Sequence, residues 1–264
     1  MTPLTDGDML LYEVCFGAQF RGDDGELVLP PFSSVIDLLE DKINYIYDET
    51  WADEEPILYL TGSDTIKKFK PEYSAEALNF RIDKAVSKVY KGNRKLEKPF
   101  HYNNLLLYML NHCNVKIAWG MEADDMICID HLADPDNTLR CTRDKDFRGS
   151  PGALYGWACG KQPGFPTQII TEEEANKFFF SQMVTGDTVD NIPGLPGCGP
   201  AAAKKALADC TSWEELRDAT LSLYNARGFD EGYFIEQGNL LWMSRKYNSD
   251  GSPQLFEEVY NGKT

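Results

Sequence analysis

Two rhythms of apolar and polar positions run along this chain. Short, nearly continuous apolar runs end in Leu4-Thr5-Asp6-Gly7, fill Ile57-Leu58-Tyr59-Leu60, and recur at Val115 to Trp119 and Thr138 to Thr142. Runs of this length between turn signals are what strands buried on both faces of a parallel sheet require. Helical spacing predicts helices over Met9 to Phe20, Val35 to Tyr47, Phe100 to Leu110, Trp213 to Tyr224 and Gly232 to Tyr247. Another helix is predicted from a cap at Thr171, with acids in its first turn, through Phe178-Phe179-Phe180. Strands alternating with helices predict an α/β fold with a central, mostly parallel sheet flanked by helices. Residues 149–166, rich in Gly, Trp and Tyr, predict a β-rich excursion that carries no assigned task.

The helical rhythm breaks in the stretch GDTVDNIPGLPGCGPAAAKKAL, from Gly186 to Leu207. If the preceding helix continues to Asp190, the spacing of Asp187 and Asp190 puts both carboxylates on one face. Pro193, Gly194, Pro196, Gly197 and Gly199 then force a tight turn, and Pro200 suits the first position of a new helix. The amide groups of Gly199 to Ala202, followed by Lys204 and Lys205, suit one phosphate of a nucleic-acid backbone. Taken alone, GLPGCG reads equally well as a Gly/Pro-rich loop before a surface helix.

Acids cluster where the predicted strands end. Asp6 stands at the end of the first and is either a helix cap or a metal ligand. Asp64 follows the second, in Thr61-Gly62-Ser63-Asp64. Glu122, Asp124 and Asp125 open a helix after the third, where the helix dipole favours them. Glu122 and Asp125 nevertheless share a face, and like charges about 4 Å apart repel by roughly 1 to 4 kcal/mol, which a cation relieves. Asp144 and Asp146 follow the fourth in Asp144-Lys145-Asp146, a string that on its own could be a turn. Basic and aromatic residues interleave at Asn79-Phe80-Arg81 and at Tyr90-Lys91-Gly92-Asn93-Arg94, either as a solvated helix or as a phosphate-facing surface.

With 264 residues the chain can bury a full core. Its 7 cysteines are scattered without close pairs, so neither a disulfide framework nor a zinc site is expected. No basic leader or membrane-length apolar run is present, and a soluble protein of a reducing cytoplasm is expected. The net charge of −16 opposes bulk attraction to nucleic acid, but Lys84 to Lys98 and the region of Lys204 concentrate positive charge locally. Hard carboxylate donors with only 3 histidines favour Mg²⁺ or Mn²⁺ over Zn²⁺.

The pattern GDxxDNIPGLPGxGPxxA, from Gly186 to Ala203, resembles the helix-three-turn-helix motif of the 5′-nuclease family, which comprises flap endonucleases and the 5′→3′ exonucleases of bacteriophages and bacterial polymerases. Asp6-Gly7, YKGNR, EADD and DKD resemble further motifs of that family, in the right order. The resemblance implies a PIN-like α/β core over residues 1–183 with a helical arch, and a helix-hairpin-helix DNA-binding and C-terminal helical region over residues 184–264. It implies a two-metal 5′→3′ exonuclease or structure-specific flap endonuclease, using two Mg²⁺ or Mn²⁺ ions, with K⁺ at the hairpin turn. Asp6, Asp64, Glu122, Asp124, Asp125, Asp144, Asp146, Asp187 and Asp190 inherit metal roles. Lys91 and Arg94 inherit the scissile phosphate, and Tyr90 inherits stacking on a terminal base. Arg81, Gly197, Gly199, Lys204 and Lys205 inherit DNA contacts. The implied partner of this monomer is DNA with 5′ ends, flaps or nicks, in a bacterial or phage-infected cytoplasm and away from membranes. Asp8 departs from the pattern where a small polar residue is commoner, and Glu13 where an arginine often stands. Two other readings remain: a catalytically inactive structure-specific DNA-binding module, and a PIN-type ribonuclease on the same core.

Overall fold

The computed structural model describes residues 1–23, 25–94 and 97–262. In chain order it runs β1 (Thr2–Asp6), α1 (Gly7–Ala18), β2 (Phe20–Arg21), β3 (Leu27–Val28), α2 (Phe32–Glu49), β4 (Ile57–Thr61), α3 (Asp64–Phe69), α4 (Arg81–Lys84) and α5 (Tyr102–His112). It continues through β5 (Val115–Ala118), α6 (Ala123–Ala133), β6 (Thr138–Cys141), β7 (Gly152–Gly156), β8 (Phe165–Ile170) and α7 (Glu172–Thr185). The last helices are α8 (Pro200–Ala206), α9 (Trp213–Ala226), α10 (Glu231–Leu241) and α11 (Phe256–Tyr260).

The expected parallel sheet is present. Its strand order is β5-β4-β1-β6-β7-β8, and β1 pairs in parallel with both β4 and β6. The pairs β4–β5 and β6–β7 are parallel too, so these strands direct their carboxyl ends to one edge. The excursion at residues 149–166 supplies β7 and the first residues of β8 on one side of this sheet.

Two compact units are distinguished. The first comprises Met1–Leu78, Leu96–Asp144 and Ala153–Gln168, and its core joins Leu10, Leu11 and Val14 of α1 to Leu58, Leu60, Leu105, Met109, Leu139 and Trp157. Gly7 lets α1 start against β4, because a Cβ there would meet Tyr59 O at 2.7 Å. The second comprises Asn79–Lys95, Lys145–Gly152 and Ile169–Thr264. Its core is aromatic, with Phe179, Phe180, Trp242 and Phe256 buried together. Fully burying each such ring contributes roughly 1.5 to 3 kcal/mol.

Three helix expectations require correction. The helix leading into Gly186 does not reach Asp190: α7 stops at Thr185 because Gly186 adopts φ 69°. A Cβ at Gly186 would meet Ile192 O at 2.4 Å, so the tight return of the chain requires glycine twice over. The helix expected to reach Tyr247 ends at Leu241, where Trp242 turns extended. Finally, residues 85–94 and 97–101 form turns where an arch helix was expected; Glu236 takes the amides of Val86 and Ser87, and Lys91 has φ 55°. Lys95, at the end of the basic string, lies outside the described residues, as do Asp24, Leu96, Lys263 and Thr264. Among the described residues no helix is long and apolar enough to cross a membrane.

Candidate active site

Parallel strands bring residues just past their carboxyl ends to one edge of the sheet, where ligands of open α/β sheets bind. In the first unit that edge is acidic. Asp6 ends β1 and is both cap and acid: Oδ1 accepts the Met9 amide at 2.9 Å and Oδ2 accepts the Thr142 hydroxyl at 2.9 Å. Asp8 Oδ2 accepts the Thr61 amide at 2.9 Å, tying α1 to the end of β4. Asp144 follows β6, with its amide donating to Thr142 Oγ1 at 3.1 Å. Burial, then the charges of Asp8 and Asp144, push the Asp6 carboxyl up to about 7 against the opposing hydrogen bonds from Met9 and Thr142. Asp8, a departure from the family pattern, therefore belongs with the acids at this edge. Its place beside the end of β1 was the available signal.

Beyond β5, Glu122 caps α6, and Asp125 closes the capping box by accepting the Glu122 amide at 3.1 Å. Asp125 is fully buried, so its carboxylate has a structural task that its position in EADD did not disclose. Asp124 lies half-buried in the first turn. Asp64 is exposed in the first turn of α3, where Ser63 is the cap. Glu13 accepts the Trp157 indole at 2.8 Å and pairs with Lys42 at 3.0 Å and Arg143 at 3.2 Å. Burial opposes its ionisation, but the Trp157 and Lys42 hydrogen bonds and the Lys42 charge outweigh burial and lower its pKa. The acid at the expected arginine position thus anchors the start of the β7–β8 connection.

The second unit carries the remaining acids. Asp187 is buried at the start of a loop closed by reciprocal backbone hydrogen bonds with Ile192, at 2.9 and 2.8 Å. Its Oδ1 accepts the amides of Val189 at 2.8 Å and Asp190 at 3.4 Å, while Oδ2 accepts Lys145 Nζ at 2.8 Å. Burial alone would raise Asp187; Lys145 and the two amides outweigh it and hold the carboxyl below the usual range. Asp146 Oδ1 accepts the Gln182 amide at 2.6 Å and lies 3.8 Å from Lys145 Nζ. Asp187 and Asp190 are therefore brought together by a hydrogen-bonded loop, not by the shared helix face that their spacing suggested.

The YKGNR string docks on that same loop. Asp190 accepts the Tyr90 hydroxyl at 3.1 Å, pairs with Arg94, and has Lys91 Nζ at 3.8 Å. Asn93 Nδ2 donates to Thr188 O at 2.6 Å, and Asn191 Nδ2 donates to Val89 O at 2.9 Å. Arg81, expected at DNA, is instead buried, donating to Leu240 O at 3.0 Å and Trp242 O at 2.6 Å and stacking on Phe80. It closes the end of α10, a long-range task that a local NFR match cannot reveal.

Gly197 and Gly199 are exposed in the hairpin before α8, and Lys204 and Lys205 are exposed on it. A cleft of about 670 Å³ lies between α7 and α8, with Lys145, Lys177 and Lys204 among its lining residues and Phe178, Pro200 and Leu207 supplying apolar wall. In both units the acidic donors are carboxylate oxygens, the hard ligands that suit Mg²⁺ or Mn²⁺. Among the described residues no three His, Cys, Asp or Glu side chains are already drawn together as a metal site. The fit rests on Asp6, whose ionised form is disfavoured by burial and then by the charges of Asp8 and Asp144, all of which a cation would offset.

No family model matches the chain. DNA polymerase I of Rhizobium leguminosarum is 36% identical over 98 residues, a match covering 34% of this chain and only 10% of that polymerase. The bacteriophage T5 D15 protein co-crystallised with metal ions is similar in structure, with TM-score 0.56 at 15% identity, covering 92% of this chain and 88% of that one. The T5 flap endonuclease in a pseudo-enzyme–product complex with DNA and metal ions gives TM-score 0.55 at 16% identity, with the same coverage. At such identities the likeness is one of fold. Motif order and architecture agree, and the chain has the fold of the 5′-nucleases.

Proposed function

We propose that the chain is a divalent-cation-dependent 5′-nuclease that hydrolyses phosphodiester bonds near the 5′ ends of DNA, as a 5′→3′ exonuclease and flap endonuclease. The observation that carries this reading is the buried carboxylate of Asp6 at the carboxyl edge of the sheet, pushed up to about 7 by its burial and then by the charges of Asp8 and Asp144. Support comes from the T5 flap endonuclease of the same fold, solved with DNA and metal ions, and from the polymerase relative.

In the first unit Asp6, Asp8, Asp124 and Asp144 would hold a cation, with Glu122 and Asp125 ordering the start of α6 and Asp64 further out. In the second, Asp146, Asp187 and Asp190 would hold another. Mg²⁺ or Mn²⁺, when bound, supplies water activation and stabilisation of the leaving oxygen. Lys91 and Arg94 offer positive charge to the scissile phosphate, Arg94 through a bidentate fork and Lys91 as a point charge. Tyr90 offers a face for a terminal base. Residues 184–264 grip duplex DNA through the hairpin of Gly197 and Gly199, where K⁺ can join the amides, and through Lys204 and Lys205.

The test uses 5′-end-labelled flap, nicked and single-stranded DNA with Mg²⁺, Mn²⁺ or chelator. Short labelled products that require the cation are expected from the flap. Tight flap binding without cleavage in either cation would leave an inactive DNA-binding module. Preferential cutting of RNA would indicate a PIN-type ribonuclease.

A further inference from the structure

The second unit carries a cation of its own within its acid set. Lys145 Nζ lies 2.8 Å from Asp187 and 3.8 Å from Asp146. The carboxylates are held independently of it, Asp187 by the amides of Val189 and Asp190 and Asp146 by Gln182. The Lys145 side chain is 60% exposed, whereas that of Asp187 is 4% exposed. A fixed, buried acceptor therefore faces a donor that reaches it from solvent. Lysine suits such an exchange, because its ammonium is a hydrated point charge on a flexible stem and gains little from one fixed geometry.

We propose that Lys145 is a resident counter-charge which a divalent cation must displace from Asp146 and Asp187, and that it thereby sets the cation affinity of this pair. The inference rests on the proposed role of these acids as cation ligands. Displacement also changes what DNA meets. Lys145 lines the α7–α8 cleft with Lys177 and Lys204, so an ammonium released from the carboxylates adds to the positive charge there. Cation loading and phosphate attraction are then linked, and the linkage is reciprocal.

Calorimetric titration of Mg²⁺ and of Mn²⁺ into the full chain tests this with Lys145→Met, Lys145→Gln and Asp187→Asn beside the unchanged protein. Both lysine variants should bind the cation of this pair up to about fivefold tighter, the scale of a partly exposed ion pair worth about 1 kcal/mol, and Asp187→Asn should lose that binding step. Equal or weaker cation binding by both lysine variants, with Asp187→Asn still losing the step, overturns the role of Lys145 alone. An Asp187→Asn protein that binds as the unchanged chain does overturns the ligand assignment, and this inference with it. A cooperative melt in chelator identifies variants that remain folded, and either lysine variant suffices. Duplex binding supplies a second readout. With Ca²⁺, Lys145→Met should flatten the salt dependence by up to about 0.9 log-log units, whereas in chelator it should leave the slope unchanged; equal flattening in both conditions overturns displacement.

Discussion

Arg94 and Asp190 are 96 residues apart and form an ion pair, joined on Asp190 by the Tyr90 hydroxyl. The motif resemblance gives these residues separate tasks, the arginine at phosphate and the aspartate at a cation. In the second unit they hold each other, and a cation bound to Asp190 as proposed would compete with Arg94 for the same carboxylate. Their mutual support of the fold should be small, because partly exposed ion pairs contribute about 0 to 1 kcal/mol. A double-mutant cycle of Arg94→Ala and Asp190→Asn, read by urea denaturation, should give a coupling within that range. Single-turnover cleavage of a saturating flap should fall on the order of 10²-fold for Arg94→Ala, by analogy with removal of one charged transition-state donor. Wild-type rates with altered binding alone would make the string a general DNA-gripping surface.

Asp6 gives a pH signature. Its carboxyl is raised from 3.8 to about 7 in the folded chain, so the folded state retains a proton that the unfolded state has lost. Its contribution to stability is fully present below about 3.8 and is lost as pH rises through 7. In chelator, Asp6→Asn should therefore stabilise the protein at pH 7, with a ceiling of about 4 kcal/mol, and the gain should vanish toward pH 4. Urea midpoints across that range measure it, and added Mg²⁺ should narrow the difference. An equal effect of the substitution at every pH would contradict the assignment.

His131 titrates in the opposite sense. It is buried, its Nε2 accepts the Ala153 amide at 3.1 Å, and its Nδ1 lies 2.8 Å from the Thr138 hydroxyl, which itself donates to Asp134 O. The ring is therefore neutral, with Nδ1 as donor. Burial and the nearby Arg140 push it down from 6.5 to about 4. Its stabilising contribution is present above pH 6.5 and is lost as pH falls through about 4, by at most about 3 kcal/mol. His131→Gln should cost stability at pH 7 and flatten this acid limb. An unchanged limb would mean that other groups carry the acid transition.

Much of this architecture is legible in local sequence, because a buried parallel strand is a short apolar run and its end is where acids stand. Asp6 and Asp144 could be found that way. The tie that Asp8 makes to the Thr61 amide could not, since only the folded chain brings that amide near, whereas Asp125 takes a local amide at the helix start. Gly186 did signal the end of α7, but the spacing of Asp187 and Asp190 favoured a longer helix. The pairings of Lys145 with Asp187 and of YKGNR with Asp190 join distant segments, and no periodicity encodes them.

Arg81 shows the consequence of such a long-range task. Arg81→Met should retain much of the stem but leave the carbonyls of Leu240 and Trp242 without their guanidinium partner. A destabilisation of about 3 kcal/mol is expected, the scale of disrupting a buried charged hydrogen-bond set. Thermal or urea unfolding measures it. DNA affinity should be unchanged where the variant is fully folded, and a selective loss of DNA binding in a fully stable variant would return Arg81 to the DNA-contact role.

Lys204 and Lys205 should behave in the reverse manner. Both are exposed on α8, so replacing them with alanine leaves no buried group unpaired and should shift the thermal midpoint little. Their charges follow the exposed hairpin of Gly197 and Gly199, where amides and lysines can track a phosphate backbone without reading bases. For every phosphate that a lysine no longer neutralises, the log-log salt dependence of duplex binding should flatten by about 0.9. The weakening should be the same for unrelated duplex sequences, and cleavage of saturated flap should change less than affinity. Equilibrium binding of two duplexes over a range of salt, the melt of each variant and single-turnover cleavage of saturated flap test all four statements. If Lys204→Ala with Lys205→Ala leaves the slope unaltered, the pair is ordinary solvated surface and the DNA grip lies elsewhere.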